Sequence, residues 1–126
     1  MAMIKLGATP KNFKKTVKVQ MLDGTTGTID CTFIYRTVTE YGELIDKLNE
    51  DGATPKDADE AFSLASLFAR NKTKNGAYLL QILEGWGMDS EFNPETAQRL
   101  CDEYPGVGAA IFETYRNAIV EGRLGN

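Results

Sequence analysis

The sequence predicts an α+β fold that is mostly α-helical, with a β-hairpin near the N-terminus. Between Val17 and Tyr35 apolar and polar residues alternate, which is the pattern of strands with one buried face. After residue 36 apolar residues recur at i, i+3, i+4 and i+7, the spacing of amphipathic helices. With 126 residues, the chain suits one domain. We therefore expect a single domain over residues 1–126, with an N-terminal arm and hairpin at 1–36 and a helical part at 37–126.

The hairpin is predicted from two alternating runs that flank a turn at residues 23–27. An isolated two-stranded hairpin is marginally stable in water, so its apolar face is expected to pack on the helices or on a partner chain. Ile4 and Leu6 are the candidates for a third strand. The apolar residues of the two runs are Val17, Val19, Met21, Ile29, Cys31, Phe33 and Tyr35.

Three helical segments are predicted after the hairpin. Thr37 and Glu40 have the spacing of a capping box, and the helix that they open is expected to end by Gly52. The next segment opens at residues 54–55 with Thr-Pro, and Asn-Gly at 75–76 is expected to break or kink it. A third set of apolar residues, Leu79, Ile82, Leu83 and Trp86, again has helical spacing and is followed by glycines at which a helix can end.

The last two helices have the clearest start and stop signals. Asn93 can cap a helix whose first position is Pro94, with Glu95 in the first turn. Tyr104 precedes Pro105, and proline disfavours helix at the residue before it. Both segments carry apolar stripes at helical spacing. We therefore expect two amphipathic helices that pack on each other.

Composition excludes several function classes. The chain has 18 acidic and 14 basic residues and a net charge of -4, without the basic cluster typical of nucleic-acid binding. It has no histidine, the commonest general base and metal ligand. Cys31 and Cys101 lie on apolar faces and are interpreted as reduced core residues. We predict no catalytic residue, no cofactor, no metal site and no nucleic-acid partner.

Two acidic segments are candidates for a functional site. Residues 47–52 match part of a calcium-binding loop, but Lys47 and Ala58 stand where that loop needs carboxylates. An enzyme that uses a carboxylate pair such as Asp57 with Glu60 is the weakest alternative, because carboxylates at a helix start also stabilise the helix dipole. No secretory signal and no apolar run of ~20 residues is present, so no membrane contact and a cytoplasmic location are expected.

One predicted helix has an apolar stripe that is wider than a single neighbouring helix can cover. Such a stripe favours a role in binding other proteins. This is the second helical segment, and its candidate contact residues are Phe62, Leu64, Leu67 and Phe68. Tyr115 and Arg116 lie partly off the apolar stripe of the last helix and are residue types enriched at binding hot spots. Their role requires that they be exposed.

Trp86 and Phe92 are two further candidates for partner contacts, and each has a structural alternative. Trp86 closes a helical stripe, which favours a core position. Phe92 follows acidic residues and could staple the start of the next helix against Ala97.

The order of several motifs resembles the tail assembly chaperones of long-tailed bacteriophages and prophages. The resemblance rests on residues 82–86, the acidic loop with Asp89 and Glu91, and then Phe92, Asn93 and Glu95. It continues through residues 100–106 and 109–115. A second block at residues 33–46 resembles the passage from hairpin to first helix. Together these blocks span about half of the chain.

The resemblance implies a non-enzymatic function. Such chaperones keep the long helical tape measure protein soluble, recruit tail tube subunits to it and leave before the tail is complete. Self-association, a location in the bacterial host cytoplasm and absence from the finished virion are implied as well. The alternative is a host or prophage regulatory adaptor that binds one folded protein.

Overall fold

A computed structural model of the chain describes residues 3–51 and 64–124, without the side chains of residues 49–51, 65–67, 69 and 70. In the described part, three strands form one antiparallel sheet in the order β1-β2-β3, and four helices accompany it. The α+β class is thus confirmed. The elements are β1 (Asn12–Gln20), β2 (Thr26–Ile34), α1 (Val38–Asp51), α2 (Leu64–Ile82), β3 (Leu83–Trp86), α3 (Pro94–Glu103) and α4 (Pro105–Glu121).

The predicted hairpin is confirmed as β1 and β2. Val17 pairs with Ile29 and Phe13 with Phe33, so the buried residues of both strands face the same side. Gly24 has a φ of 88° in the turn, a conformation that glycine adopts without strain. The buried side of the hairpin packs on α4, as expected for a hairpin that needs helices to be stable.

The third strand is not where the sequence indicated. Ile4 and Leu6 are 94% and 99% exposed and form no strand. Instead, β3 pairs with β2, with Leu83 opposite Phe33 and a register shift beside Thr32. The predicted helix through residues 79–86 is therefore wrong in its second half, because pairing with β2 competes successfully with helical spacing. Because β3 lies after residue 36, the expected boundary at that residue does not separate the strands from the helices.

The caps of α1 and α3 follow the sequence signals. At α1, the Thr37 N–H donates to Glu40 Oε1 (2.9 Å), and the Glu40 N–H donates to Thr37 Oγ1 (3.2 Å). At α3, the Thr96 N–H donates to Asn93 Oδ1 (2.9 Å), with Pro94 at the first position. These bonds satisfy backbone donors that a helix start leaves without partners.

The predicted break at Asn75-Gly76 is absent, and α2 runs through it to Ile82. Gly76 is buried against α3, where an added Cβ would lie 2.5 Å from Gln98 Cγ and 3.1 Å from Gln98 Cα. Because Gly76 has no side chain, α2 and α3 can approach each other closely at this point. No helix in the described ranges is both long and apolar enough to cross a membrane.

The apolar core lies between the sheet and the helices. Phe33, Leu79, Ile82, Ile111 and Tyr115 are each 0% exposed. Burial of apolar area at ~25 cal/mol per Å² is the main force that holds these layers together. The other buried core residues are Phe13, Val17, Val19, Ile29, Cys31, Leu44, Leu83, Ala97, Leu100, Cys101, Val107, Ala118 and Ile119.

Candidate protein-binding surface

The start of α2 exposes two large apolar side chains. Leu64 is 55% exposed and Phe68 is 58% exposed, and their i, i+4 spacing places them on one face of the helix. Phe62 lies outside the described residues, as does the side chain of Leu67. We call Leu64 and Phe68 the α2 apolar face. It can contact the apolar side of another helix.

Trp86 and Phe92 form a second apolar contact at the rim of the sheet. Their rings meet edge to face with centroids 4.9 Å apart, a favourable geometry for aromatic pairs. Trp86 Nε1 donates to the Ser90 carbonyl oxygen (2.9 Å), so the loop after β3 folds back on the indole. Both side chains are half-buried. They hold this loop in place and leave part of each ring accessible.

The expected exposure of Tyr115 is wrong. Its ring is 0% exposed and lies 5.4 Å from the Phe33 ring and 5.7 Å from the Tyr41 ring, measured between centroids. Its hydroxyl donates to the Ile34 carbonyl oxygen (2.9 Å) and accepts from Arg36 Nη1 (3.1 Å). Tyr115 is therefore a core residue that joins α4 to the sheet.

Arg116, the next residue, is exposed as the sequence indicated. Its Nη1 donates to Asn117 Oδ1 (3.2 Å), a short-range contact that leaves most of the guanidinium facing solvent. Without Tyr115 beside it on the surface, the expected hot-spot pair on α4 is reduced to one arginine.

The two cysteines are buried and free, as predicted. Burial raises the pKa of the Cys31 thiol to about 12 and that of the Cys101 thiol to about 11. Because the thiolate is the reactive form, both groups are poor nucleophiles at neutral pH. Within the described ranges, no three acidic or cysteine side chains converge to hold a metal ion. The Asp57 and Glu60 alternative falls outside these ranges.

Sequence reasoning missed a basic strand. Lys14 and Lys18 project from the exposed side of β1, and Lys15 lies between them on the other side. The alternation that predicts the hairpin identifies these positions as polar, but it does not indicate that three of them are lysines on one edge strand. Arg70, Lys72 and Lys74 lie within α2.

Comparison with known protein families identifies the family of this chain. A family model described as phage tail assembly chaperone matches residues 1–126. No curated protein and no solved structure matches the chain. The match extends beyond the motifs of the C-terminal helices to the sheet and to the N-terminal arm. Since it covers the whole sequence, the chain belongs to the phage tail assembly chaperone family.

Proposed function

We propose that this chain keeps the tape measure protein soluble during tail assembly and brings tail tube subunits to it. Family membership supports a non-enzymatic role in tail assembly. The observation that carries the finer proposal is the α2 apolar face, where Leu64 and Phe68 are both more than half exposed. An aggregation-prone helical client can bury its own apolar side against such a face.

The α2 apolar face is suited to reversible binding. Leu64 and Phe68 are exposed before the client binds, so the face remains accessible to solvent when the client leaves for its final partners. Under this proposal the chain acts in the bacterial host cytoplasm and is absent from the finished virion.

Co-expression with the tape measure protein tests the proposal. Wild-type chain is expected to yield a soluble complex that co-purifies. The double variant Leu64→Ser/Phe68→Ser is expected to reduce the co-purified tape measure protein at least about tenfold, because apolar anchors dominate such contacts. Leu22→Ser is the matched control, since Leu22 is 79% exposed in the hairpin turn, away from α2.

The outcomes test the chaperone function and the α2 apolar face independently of each other. If the wild-type chain leaves the tape measure protein insoluble and forms no complex, the chaperone function is overturned in favour of a regulatory adaptor. If the double variant binds as well as wild type, the function stands and the α2 apolar face is excluded. Retention of tail tube protein on the purified complex, compared with the chain alone, tests the recruitment step.

A further inference from the structure

Lysine is the only charged residue type on the first strand. β1 carries Lys14, Lys15 and Lys18 and no acidic residue, and the first acidic residue of the chain is Asp23. Lys14 and Lys18 are exposed, and because alternate residues of a strand share a face, both project from the same side of β1. A spacing of four residues in an extended strand corresponds to about 13 Å. β1 therefore presents two positive charges at a defined separation.

These positive charges are not neutralised within the described part of the chain. The two ion pairs found there lie on α3 and at the end of α4, and neither involves a lysine of β1. Acidic side chains of the neighbouring strands bond to neutral residues of β1 instead. Asp30 accepts from Thr16 Oγ1 (2.7 Å), and Glu84 accepts from Asn12 Nδ2 (2.9 Å). The lysines are therefore available to carboxylates of another molecule.

Backbone groups of β1 are also available, on the side that faces away from β2. β1 is an edge strand of the sheet. Just before it, the Lys11 carbonyl oxygen accepts from the Tyr35 N–H, and bonded pairs alternate with non-bonded ones in an antiparallel ladder. The odd-numbered residues of β1 therefore bond to β2. The residues whose N–H and carbonyl groups point outward are Asn12, Lys14, Thr16, Lys18 and Gln20.

The N-terminal arm does not cover this edge. Residues 3–10 form no strand and are all exposed. The backbone hydrogen bond within them, from the Ala8 N–H to the Lys5 carbonyl oxygen, stays inside the arm. The helix α4 packs on the buried side of the hairpin and leaves the outward backbone groups free. An edge strand of this kind can take up an additional strand from another polypeptide.

We propose that β1 binds an extended acidic segment of another protein as a fourth strand of the sheet. The outward N–H and carbonyl groups of β1 pair with the backbone of the added segment. Acidic residues four positions apart in that segment face Lys14 and Lys18. Cross-strand pairs of opposite charge are favourable and pairs of like charge are not. The lysines therefore favour an acidic strand and exclude a basic one.

The buried side of β1 contributes little to this contact. Phe13, Val17 and Val19 are at most 7% exposed, so they have little apolar area left for an added strand to bury. The affinity then depends on the backbone hydrogen bonds and on the two exposed lysines. Because salt screens exposed charges, we expect the contact to be reversible and to weaken as the salt concentration rises.

This site goes beyond the proposed function and does not use the α2 apolar face. A helical client needs an apolar side to bind there, whereas β1 needs an extended segment with acidic residues. One chain can therefore hold segments of both kinds at once. Substitutions on β1 leave Leu64 and Phe68 unchanged, so failure of one site is distinguishable from failure of the other.

Titration with a synthetic peptide, followed by NMR of the backbone amides, tests the site. The probe is acetyl-Thr-Val-Glu-Val-Thr-Val-Glu-Val-Thr-amide, which matches the 9 residues of β1. Its sequence is the same in both directions, so either strand orientation places glutamates opposite Lys14 and Lys18. At about 0.05 M salt we expect a dissociation constant below about 1 mM. Hydrogen exchange should slow at the amides of Lys14, Thr16 and Lys18.

Two control peptides separate backbone pairing from charge, and both use the wild-type chain. One carries lysine in place of both glutamates. The other carries proline in place of the central threonine, which keeps the charge but removes an N–H needed for strand pairing. Each is expected to bind at least about tenfold more weakly than the probe. Salt at about 0.5 M should weaken binding of the probe itself.

Exchange of charge on the chain tests the role of the lysines. Lys14→Glu/Lys18→Glu is expected to bind the acidic peptide at least about tenfold more weakly than wild type, and the lysine peptide at least about tenfold more tightly. Lys47→Glu/Arg116→Glu removes the same number of exposed positive charges from helices and is expected to bind the acidic peptide as wild type does. Circular dichroism verifies that each variant is folded.

The proposal is overturned if about 2 mM acidic peptide leaves the β1 amides unchanged, or if the lysine peptide binds the wild-type chain equally well. Equal loss of binding in the helix variant assigns the effect to net charge and excludes a specific site. Oligothymidylate that binds at β1 more tightly than the acidic peptide assigns the lysines to nucleic acid. Protection of the outward amides in the chain alone, rising with its concentration, assigns the edge to a second copy.

Discussion

The two ends of α2 have similar apolar residues and different surroundings. At the C-terminal end, Leu79 and Ile82 are 0% exposed and Tyr78 stacks on Phe112 with centroids 4.6 Å apart. At the N-terminal end, the large side chain of Phe68 is 58% exposed. Helical spacing is continuous between them. Burial is thus decided by the elements that pack against each end, and only the C-terminal end lies on the core.

This difference shows what periodicity can and cannot predict. A stripe of apolar residues predicts a helix and one preferred side, but it does not say whether this chain or a partner covers that side. The C-terminal end of α2 contributes to stability, whereas the N-terminal end is available for binding. Substitutions along the helix should separate these two contributions.

Truncation of a core side chain should give the largest effect. Leu79→Ala is expected to lower the free energy of unfolding by about 2–5 kcal/mol, because it removes buried methyl groups and leaves a cavity. Phe68→Ala, at the exposed end of the same helix, should change it by less than about 0.5 kcal/mol. Chemical denaturation of both variants measures their free energies of unfolding. A loss above about 2 kcal/mol for Phe68→Ala would show that the α2 apolar face is covered within the chain.

The close contact between α2 and α3 should give the next largest effect. Gly76→Ala is expected to destabilise by about 1–3 kcal/mol, because the new Cβ would overlap Gln98 and push the helices apart. Gly42→Ala is the matched control in α1, where no atom lies within 4 Å of the added Cβ. There the substitution should stabilise by about 0.5–1 kcal/mol. Thermal unfolding should shift in opposite directions for the two variants.

The stability of α3, the helix that packs against α2, depends on its N-terminal cap. Asn93→Ala removes the acceptor for the Thr96 N–H and is expected to cost about 1 kcal/mol. Asn93→Ser keeps an acceptor and should recover most of that loss. Urea titrations of the two variants test this. Equal stability of Asn93→Ala and wild type would show that the cap contributes nothing to the packing of α3.

The smallest expected effect concerns pH and the start of α1. Hydrogen bonds from the Thr37 backbone and side chain hold the pKa of Glu40 below its ordinary value of 4.5. Because the folded-state pKa is lower than the unfolded one, this stabilisation is present above about pH 4.5 and is lost as pH falls through the folded pKa. Glu40→Gln should therefore unfold at a lower temperature than wild type at pH 6, and the difference should shrink by pH 3.

Local signals predicted a good part of the fold. Asn93, Pro94 and Pro105 fix the ends of α3 and α4 through bonds and restrictions within a few residues, and Thr37 with Glu40 does so for α1. The alternation in β1 and β2 is equally local, since a short turn joins the strands. These features need no knowledge of distant parts of the chain.

The features that sequence reasoning missed depend on distant contacts. Leu83 forms a strand because it pairs with Phe33, fifty positions away, which no local window contains. Tyr115 is buried because rings from β1, β2 and α1 surround it. The sequence alone indicates a helix break at Gly76, whereas the structure shows that Gln98 of α3 lies beside it. The α2 apolar face was identified from its width, but its exposure required the structure.

The two buried cysteines can be used to measure local opening of this protein. Cys31 lies in the sheet and Cys101 in α3, and both thiols are free. A thiol reagent can reach each of them only when the surrounding element opens, so labelling rates measure local opening in the native state. If the sheet and the C-terminal helices open together, the two cysteines will be labelled at the same rate.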